Sequence, residues 1–214
     1  MRLVIFDLDG TLVDSKQDLC NAVNATRTFM NLPTLPDDLV ASYVGNGAPV
    51  LIRRAMGPQA TPEQLEEALA YFLSYYREHM LDFTRDYPGV RPALDTLAEA
   101  EVPMAVLTNK PVRFSKDILA GLDLDRYFFQ VYGGNSFEEK KPHPIGVDTL
   151  LAESGADRAH TWMVGDSAVD VLTARNARIR SAGVTYGIKP ESLDETAPDL
   201  LLDSLADLPP HILR

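Results

Sequence analysis

Two carboxylates, Asp7 and Asp9, stand two residues apart directly behind the apolar run Leu3 to Phe6 and directly before Gly10. In an extended strand the side chains of residues i and i+2 project to the same side, so the pair converges at a strand end while Gly10 lets the backbone turn sharply. That arrangement suits covalent phosphoryl transfer. Asp7 attacks phosphorus as the nucleophile, and Asp9 protonates the departing alcohol and then deprotonates the water that cleaves the acyl phosphate. Asp-x-Asp-Gly by itself also describes an ordinary Asx turn, so the weight falls on what accompanies it.

Three further polar clusters follow β-rich runs or break the chain before a helix. Thr108-Asn109-Lys110 follows Pro103 to Leu107, Lys140-Lys141-Pro142-His143-Pro144 forms a rigid loop, and Gly165-Asp166-Ser167, with Asp170 beyond it, follows Thr161 to Val164. Carboxylate oxygens suit magnesium, with Asp7 and Asp166 as the natural side-chain ligands. Asp170, one helical turn past Asp166, can reach the same ion directly or through water. Three carboxylates and a phosphate dianion outweigh magnesium and one lysine. Lys141 is therefore assigned to charge neutralisation, and Asp9 is expected to favour its protonated form when substrate binds. Thr108, Asn109 and the N–H groups of the turns are expected to donate hydrogen bonds to the phosphate. His143, between two prolines, is left without a role.

The elements that position these groups divide the chain in two. After the first strand, Ser15 to about Asp82 reads as helix throughout: one helix from Ser15 to about Asn31, a short one near Asp37, one over Pro49 to Met56, and one starting at Thr61-Pro62-Glu63-Gln64. The last of these has a capping Thr, Pro at the first helical position and acid in the first turn. Its Leu65, Leu69, Phe72, Leu73 and Tyr76 share one face. From Tyr87 onward helices alternate with short β-rich runs, which implies parallel strands joined by right-handed crossovers. The expected fold is α/β: a Rossmann-like doubly wound parallel sheet from residues 1–14 and 83–214, with residues 15–82 inserted as a small helical cap having its own core. In such a sheet the ligand crevice lies beyond the carboxyl ends of the strands, where all four clusters fall.

Composition narrows the partners. Lys plus Arg total 20 against 31 Asp plus Glu, a formal charge of −11, which disfavours nucleic acid as a ligand. No apolar run is long enough to span a bilayer, and the short run before Asp7 lacks the core of a signal peptide, so a cytoplasmic location is expected. The single cysteine, Cys20, excludes an internal disulfide and reads as core filler on a helix. The expected partner is a small phosphorylated metabolite, with the chain a monomer or a homodimer.

Across nearly its whole length the chain resembles the haloacid dehalogenase superfamily of phosphotransferases. The resemblance rests on Asp7-Leu8-Asp9-Gly10-Thr11, Thr108-Asn109-Lys110, Lys141-Pro142-His143-Pro144 and Gly165-Asp166-Ser167-Ala168-Val169-Asp170. It implies an aspartyl-phosphate intermediate, Mg2+ bound also by the main-chain carbonyl of Asp9, phosphate contacts from Thr108 and Lys141, and a mobile cap that closes over the site. The acid at Asp9 disfavours dehalogenation, whose family members lack one there. Within the cap, Val44 to Ala55 is similar to the corresponding segment of bacterial phosphoglycolate phosphatases. Gly45-Asn46-Gly47 is expected to expose backbone N–H groups, and Arg53 or Arg54 to meet a small carboxylate. Gly146 departs from that pattern, where those enzymes generally carry proline. A pyrophosphatase, a sugar-phosphate phosphatase or a β-phosphoglucomutase is the alternative on the same core. A non-catalytic binding protein ranks last, since no member of the catalytic set is missing.

Overall fold

The computed structural model describes all 214 residues. Six strands form one parallel sheet in the order β5-β4-β1-β6-β7-β8: β1 Leu3–Phe6, β4 Met104–Leu107, β5 Gln130–Tyr132, β6 Thr161–Gly165, β7 Arg180–Val184 and β8 Leu200–Leu202. The central strand β1 is paired on both edges, Ile5 lying opposite Ala105 on one side and Met163 on the other. Its four residues are fully buried, which explains why it reads as an unbroken apolar run with no alternation. The two-residue period shows instead in which layer each side chain enters. Val4 and Phe6 join one cluster, and Leu3 and Ile5 join the other.

The second cluster lies under α7 (Ile145–Ser154) and α8 (Ala168–Ala177). Gly146 of α7 lies against β4: a Cβ there would stand 2.5 Å from Leu107 Cδ1, so the close approach of helix and sheet accounts for glycine at this position. The first cluster lies under α5 (Val90–Glu99) and α6 (Val112–Gly121) and continues without a break into the inserted helices.

Those helices are α1 (Lys16–Phe29), α2 (Asp37–Tyr43), α3 (Ala48–Met56) and α4 (Pro62–His79). The start of α4 is a full capping box, Thr61 accepting from the Gln64 N–H and the Gln64 side chain accepting from the Thr61 N–H. The insertion does not keep a core to itself, which corrects the sequence reading. Tyr76 of α4 is fully buried and sets its ring edge-on against Phe114 of α6, with centroids 5.6 Å apart. Apolar burial thus runs from the insertion into the sheet layer.

The insertion is joined to the sheet by two linkers that pair with each other, β2 (Val13–Asp14) and β3 (Arg85–Asp86), antiparallel. Asp18 in the first turn of α1 braces this crossing. Its buried carboxylate accepts from the N–H groups of Phe83 and Thr84 and from the Thr84 hydroxyl. Neither two-residue strand carries enough sequence for a periodic signal, and neither was foreseen.

Candidate active site

Because the sheet is parallel, the residues after β1, β4, β6 and β7 all emerge at one edge. They line a small cavity, about 50 Å³, whose opposite wall is made by the inserted helices. The core contributes Asp7, Asp9, Thr108, Asn109 and Asp166, and the insertion contributes Gly45, Gly47, Leu51, Phe72 and Tyr76 among others.

Asp7, Asp166 and Asp170 converge so closely that one ligand atom from each lies within 4.8 Å of the others. Burial pushes the Asp7 carboxyl up to about 6, Lys141 opposing and Asp170 adding to the shift. Asp166 is pushed up to about 8 by burial, with Asp170 and Asp7 raising it further. An all-oxygen donor set this crowded and this poorly hydrated fits a hard divalent cation, which would relieve both the repulsion and the lost solvation. Glycines allow the crowding. Gly10 turns the chain at φ +83°, and a Cβ on it would stand 2.3 Å from an Asp166 oxygen. Asp166 is aimed by backbone, its Oδ2 accepting from the N–H groups of Ile188 at 2.7 Å and Lys189 at 3.0 Å.

Lys141 is buried between two of these acids, its Nζ 3.0 Å from Asp7 Oδ1 and 2.6 Å from Asp170 Oδ1. Burial pulls its pKa down, but Asp170 and Asp7 outweigh that and hold the ammonium above the ordinary lysine value. The other oxygen of Asp170 caps α8, accepting from the Ser167 N–H and hydroxyl. Asp170 thus holds Lys141 and Ser167 while presenting its charge to the cluster.

The Asp9 side chain turns away from this group. Both of its oxygens accept from Lys110 Nζ, at 2.9 and 3.1 Å, and Oδ1 also accepts from the Ser15 hydroxyl. The sequence reading pairs neither Lys110 nor Ser15 with Asp9. Lys110 in turn donates to the Tyr76 hydroxyl at 2.7 Å. Burial lowers the Lys110 pKa, but Asp9 and Tyr76 reverse that and leave it raised. Burial also pushes the Tyr76 phenol up to about 12, against the pull of Lys110. Each aspartate of the opening motif therefore has its own lysine. The motif Thr108-Asn109-Lys110 assigns Lys110 no role by itself; the need for a cation beside Asp9 is the signal that points to it.

Asn109 lines the cavity, but its side-chain amide is fully used. It donates to the carbonyls of Lys141 and Gly45 and accepts from the Lys141 N–H. Its side chain therefore fixes the lysine loop and touches the insertion. Thr108 is buried at the cavity wall with its hydroxyl accepting from the Lys110 N–H. His143 is exposed and accepts from the Ile145 N–H at the start of α7. Cys20 is buried, its thiol pushed up to about 11 by burial first and Asp37 second, as suits core filler.

The expected cap residues separate. Gly45 and Gly47 line the cavity, whereas Asn46, Arg53 and Arg54 do not. Arg53 and Arg54 are exposed, and Arg54 donates to the Tyr43 carbonyl. The physical reason is helical phase. Ala48, Leu51, Ile52 and Ala55 bury one face of α3, which leaves positions 53 and 54 on the opposite side.

The model of the haloacid dehalogenase-like hydrolases matches residues 4–184. A phosphoglycolate phosphatase of Haemophilus influenzae is 38% identical over 97% of this chain and 96% of its own length. Phosphoglycolate phosphatase 1 of Pseudomonas aeruginosa is 40% identical over 98% of this chain and 79% of its own. Among solved structures, a predicted phosphoglycolate phosphatase from Haemophilus somnus superposes with a TM-score of 0.94 at 33% identity, covering 100% of this chain and 98% of that one. Motifs, strand-end geometry and near-complete coverage converge on one assignment: this chain belongs to the haloacid dehalogenase-like hydrolase family.

Proposed function

We propose that this protein is a phosphatase that hydrolyses 2-phosphoglycolate through an aspartyl-phosphate, with Mg2+ as its ion. The observation that carries the reading is the pair of separately neutralised carboxylates in one cavity, Asp7 beside Lys141 and Asp9 beside Lys110. Asp7 forms a bond to phosphorus as the ester P–O bond breaks, and Asp9 gives its proton to the glycolate oxygen that leaves. Asp9 then takes a proton from water, whose oxygen attacks phosphorus, releasing inorganic phosphate and restoring Asp7. Lys141 balances the charge of Asp7 and the phosphoryl oxygens, and Thr108 with neighbouring turn N–H groups orients them. Asp7 and Asp166 would hold the ion, with the Asp9 carbonyl, and it would withdraw charge from the phosphoryl oxygens when bound.

Residues 15–82 serve in this reading as the cap, delivering Gly45, Gly47 and Tyr76 to the substrate and excluding water during the first step. No helix is long and apolar enough to cross a membrane. The reading places the reaction in the cytoplasm, in keeping with a single free buried cysteine. A panel of phosphate esters with Mg2+ tests it. The expected result is the highest kcat/KM on 2-phosphoglycolate, above pyrophosphate and hexose phosphates. A preference for pyrophosphate, or transfer between sugar positions, would replace it with one of the alternatives.

A further inference from the structure

If Arg53 and Arg54 point into solvent, the cation for the far end of a carboxylate-bearing substrate must come from elsewhere. Only two ammonium groups line the cavity, Lys110 and Lys189. Lys110 is engaged by Asp9 and Tyr76. Lys189 has no carboxylate partner. Its Nζ makes a single hydrogen bond, 3.1 Å, to the backbone carbonyl of Ser42 at the end of α2 in the insertion. An exposed ammonium on a residue of the cavity lining, with only a neutral carbonyl for company, keeps its charge available to a ligand.

Its place in the fold sets what it meets. Lys189 lies on the segment after β7, and its own N–H holds Asp166 at the reacting end of the cavity. Its side chain runs from there across to the insertion. For a small ester with phosphorus at Asp7, Lys189 is the ammonium of the lining not already paired with a carboxylate, and a substrate carboxylate that reaches it can take the charged bond that the Ser42 carbonyl now accepts. We propose that Lys189 is the specificity-determining residue that binds the substrate carboxylate, which ties substrate charge to the seam between sheet and insertion. This rests on the phosphoglycolate reading above.

The test compares kcat/KM for 2-phosphoglycolate with that for ethyl phosphate, which lacks the carboxylate, in the wild type, Lys189→Met and Lys189→Arg. Using a ratio within each protein cancels any general loss of fold or activity, and the substitutions leave the backbone N–H on Asp166 in place. The expected result is a selectivity ratio that falls by roughly ten- to a hundred-fold in Lys189→Met, the worth of one charge-assisted hydrogen bond, through KM more than kcat, and is largely recovered in Lys189→Arg. A wild type that prefers phosphoglycolate together with a Lys189→Met variant that keeps the preference overturns the assignment of Lys189 alone. A wild type with no preference for the carboxylate-bearing ester overturns both this assignment and the reading it rests on.

Discussion

The two walls of the cavity are built from different chemistry. On the sheet side each acid is already bonded: Asp7 and Asp170 to Lys141, Asp9 to Lys110 and Ser15, Asp166 to two backbone N–H groups. On the side of the insertion the wall is mostly apolar, with Leu51, Phe72 and Val44, interrupted by the Tyr76 hydroxyl and two glycines. A charged group is held firmly only where several partners fix it, and parallel strand ends supply those partners at one edge. The helical wall supplies shape and exclusion of water. The difference assigns bond making to the sheet and fit to the insertion.

The sharpest way to break that division is at Asp7. Asp7→Asn should lower phosphate release by roughly 10⁴-fold or more while the protein stays folded, since it removes one charge from a crowded cluster; thermal melts check the fold. Near-normal turnover would remove the nucleophile from the sheet wall. Asp9→Asn should lower turnover of phosphoglycolate by roughly 10²- to 10⁴-fold, whereas p-nitrophenyl phosphate, whose leaving group needs no proton, should still give a rapid burst of p-nitrophenol before the slowed cleavage of the aspartyl-phosphate. Absence of that burst would mean that Asp9 does not act as the acid of the first step.

A second test concerns the electrostatic tension of the sheet wall. Asp7 at about 6 and Asp166 at about 8 stand above the ordinary carboxylate value, so the metal-free folded state retains protons that the unfolded chain has released. Their contribution to stability is complete below about pH 4 and is lost as pH rises through about 6 and then 8. A bound cation replaces those protons. The rise in Tm on adding Mg2+ should therefore grow from pH 5 to pH 8 and shrink in Asp166→Asn. A gain independent of pH would argue against ion binding by this cluster.

The smallest expected effect probes the insertion wall where a side chain of α4 meets the machinery. Tyr76→Phe keeps the ring against Phe72 and Phe114 and removes only the hydroxyl that Lys110 bonds. A fall of about ten-fold in kcat, with Tm little changed, is expected if the bond helps fix Lys110 on Asp9. No change would leave the insertion with fit alone.

Much of the sheet wall was legible because its logic is local. An apolar run followed by Asp, Thr or Gly-Asp marks a strand end, and alternation with helices forces the strands parallel, so four separate clusters had to meet. What escaped depended on tertiary partners. Lys110 looks like any lysine after a strand until Asp9 is found beside it, and Lys189 sits just before a stretch, Pro190 to Pro198, that reads as surface loop. The β2–β3 pair is set by two segments about seventy residues apart, beyond any periodic signal. Arg53 and Arg54 are the instructive case. The spacing of Ala48, Leu51, Ile52 and Ala55 places them outward, although a cation near a glycine loop suggests a ligand.

The hold on Asp166 has a consequence for how such an enzyme diverges. Its carboxylate is aimed by the main chain of Ile188 and Lys189, residues that also line the cavity, while their side chains take no part in that hold. Mutation can exchange those side chains one at a time without touching the bonds that orient the acid. Substrate preference can drift along this segment while the hydrolytic centre is inherited unchanged, and an insertion or deletion here, which would shift the backbone, is the change least able to survive.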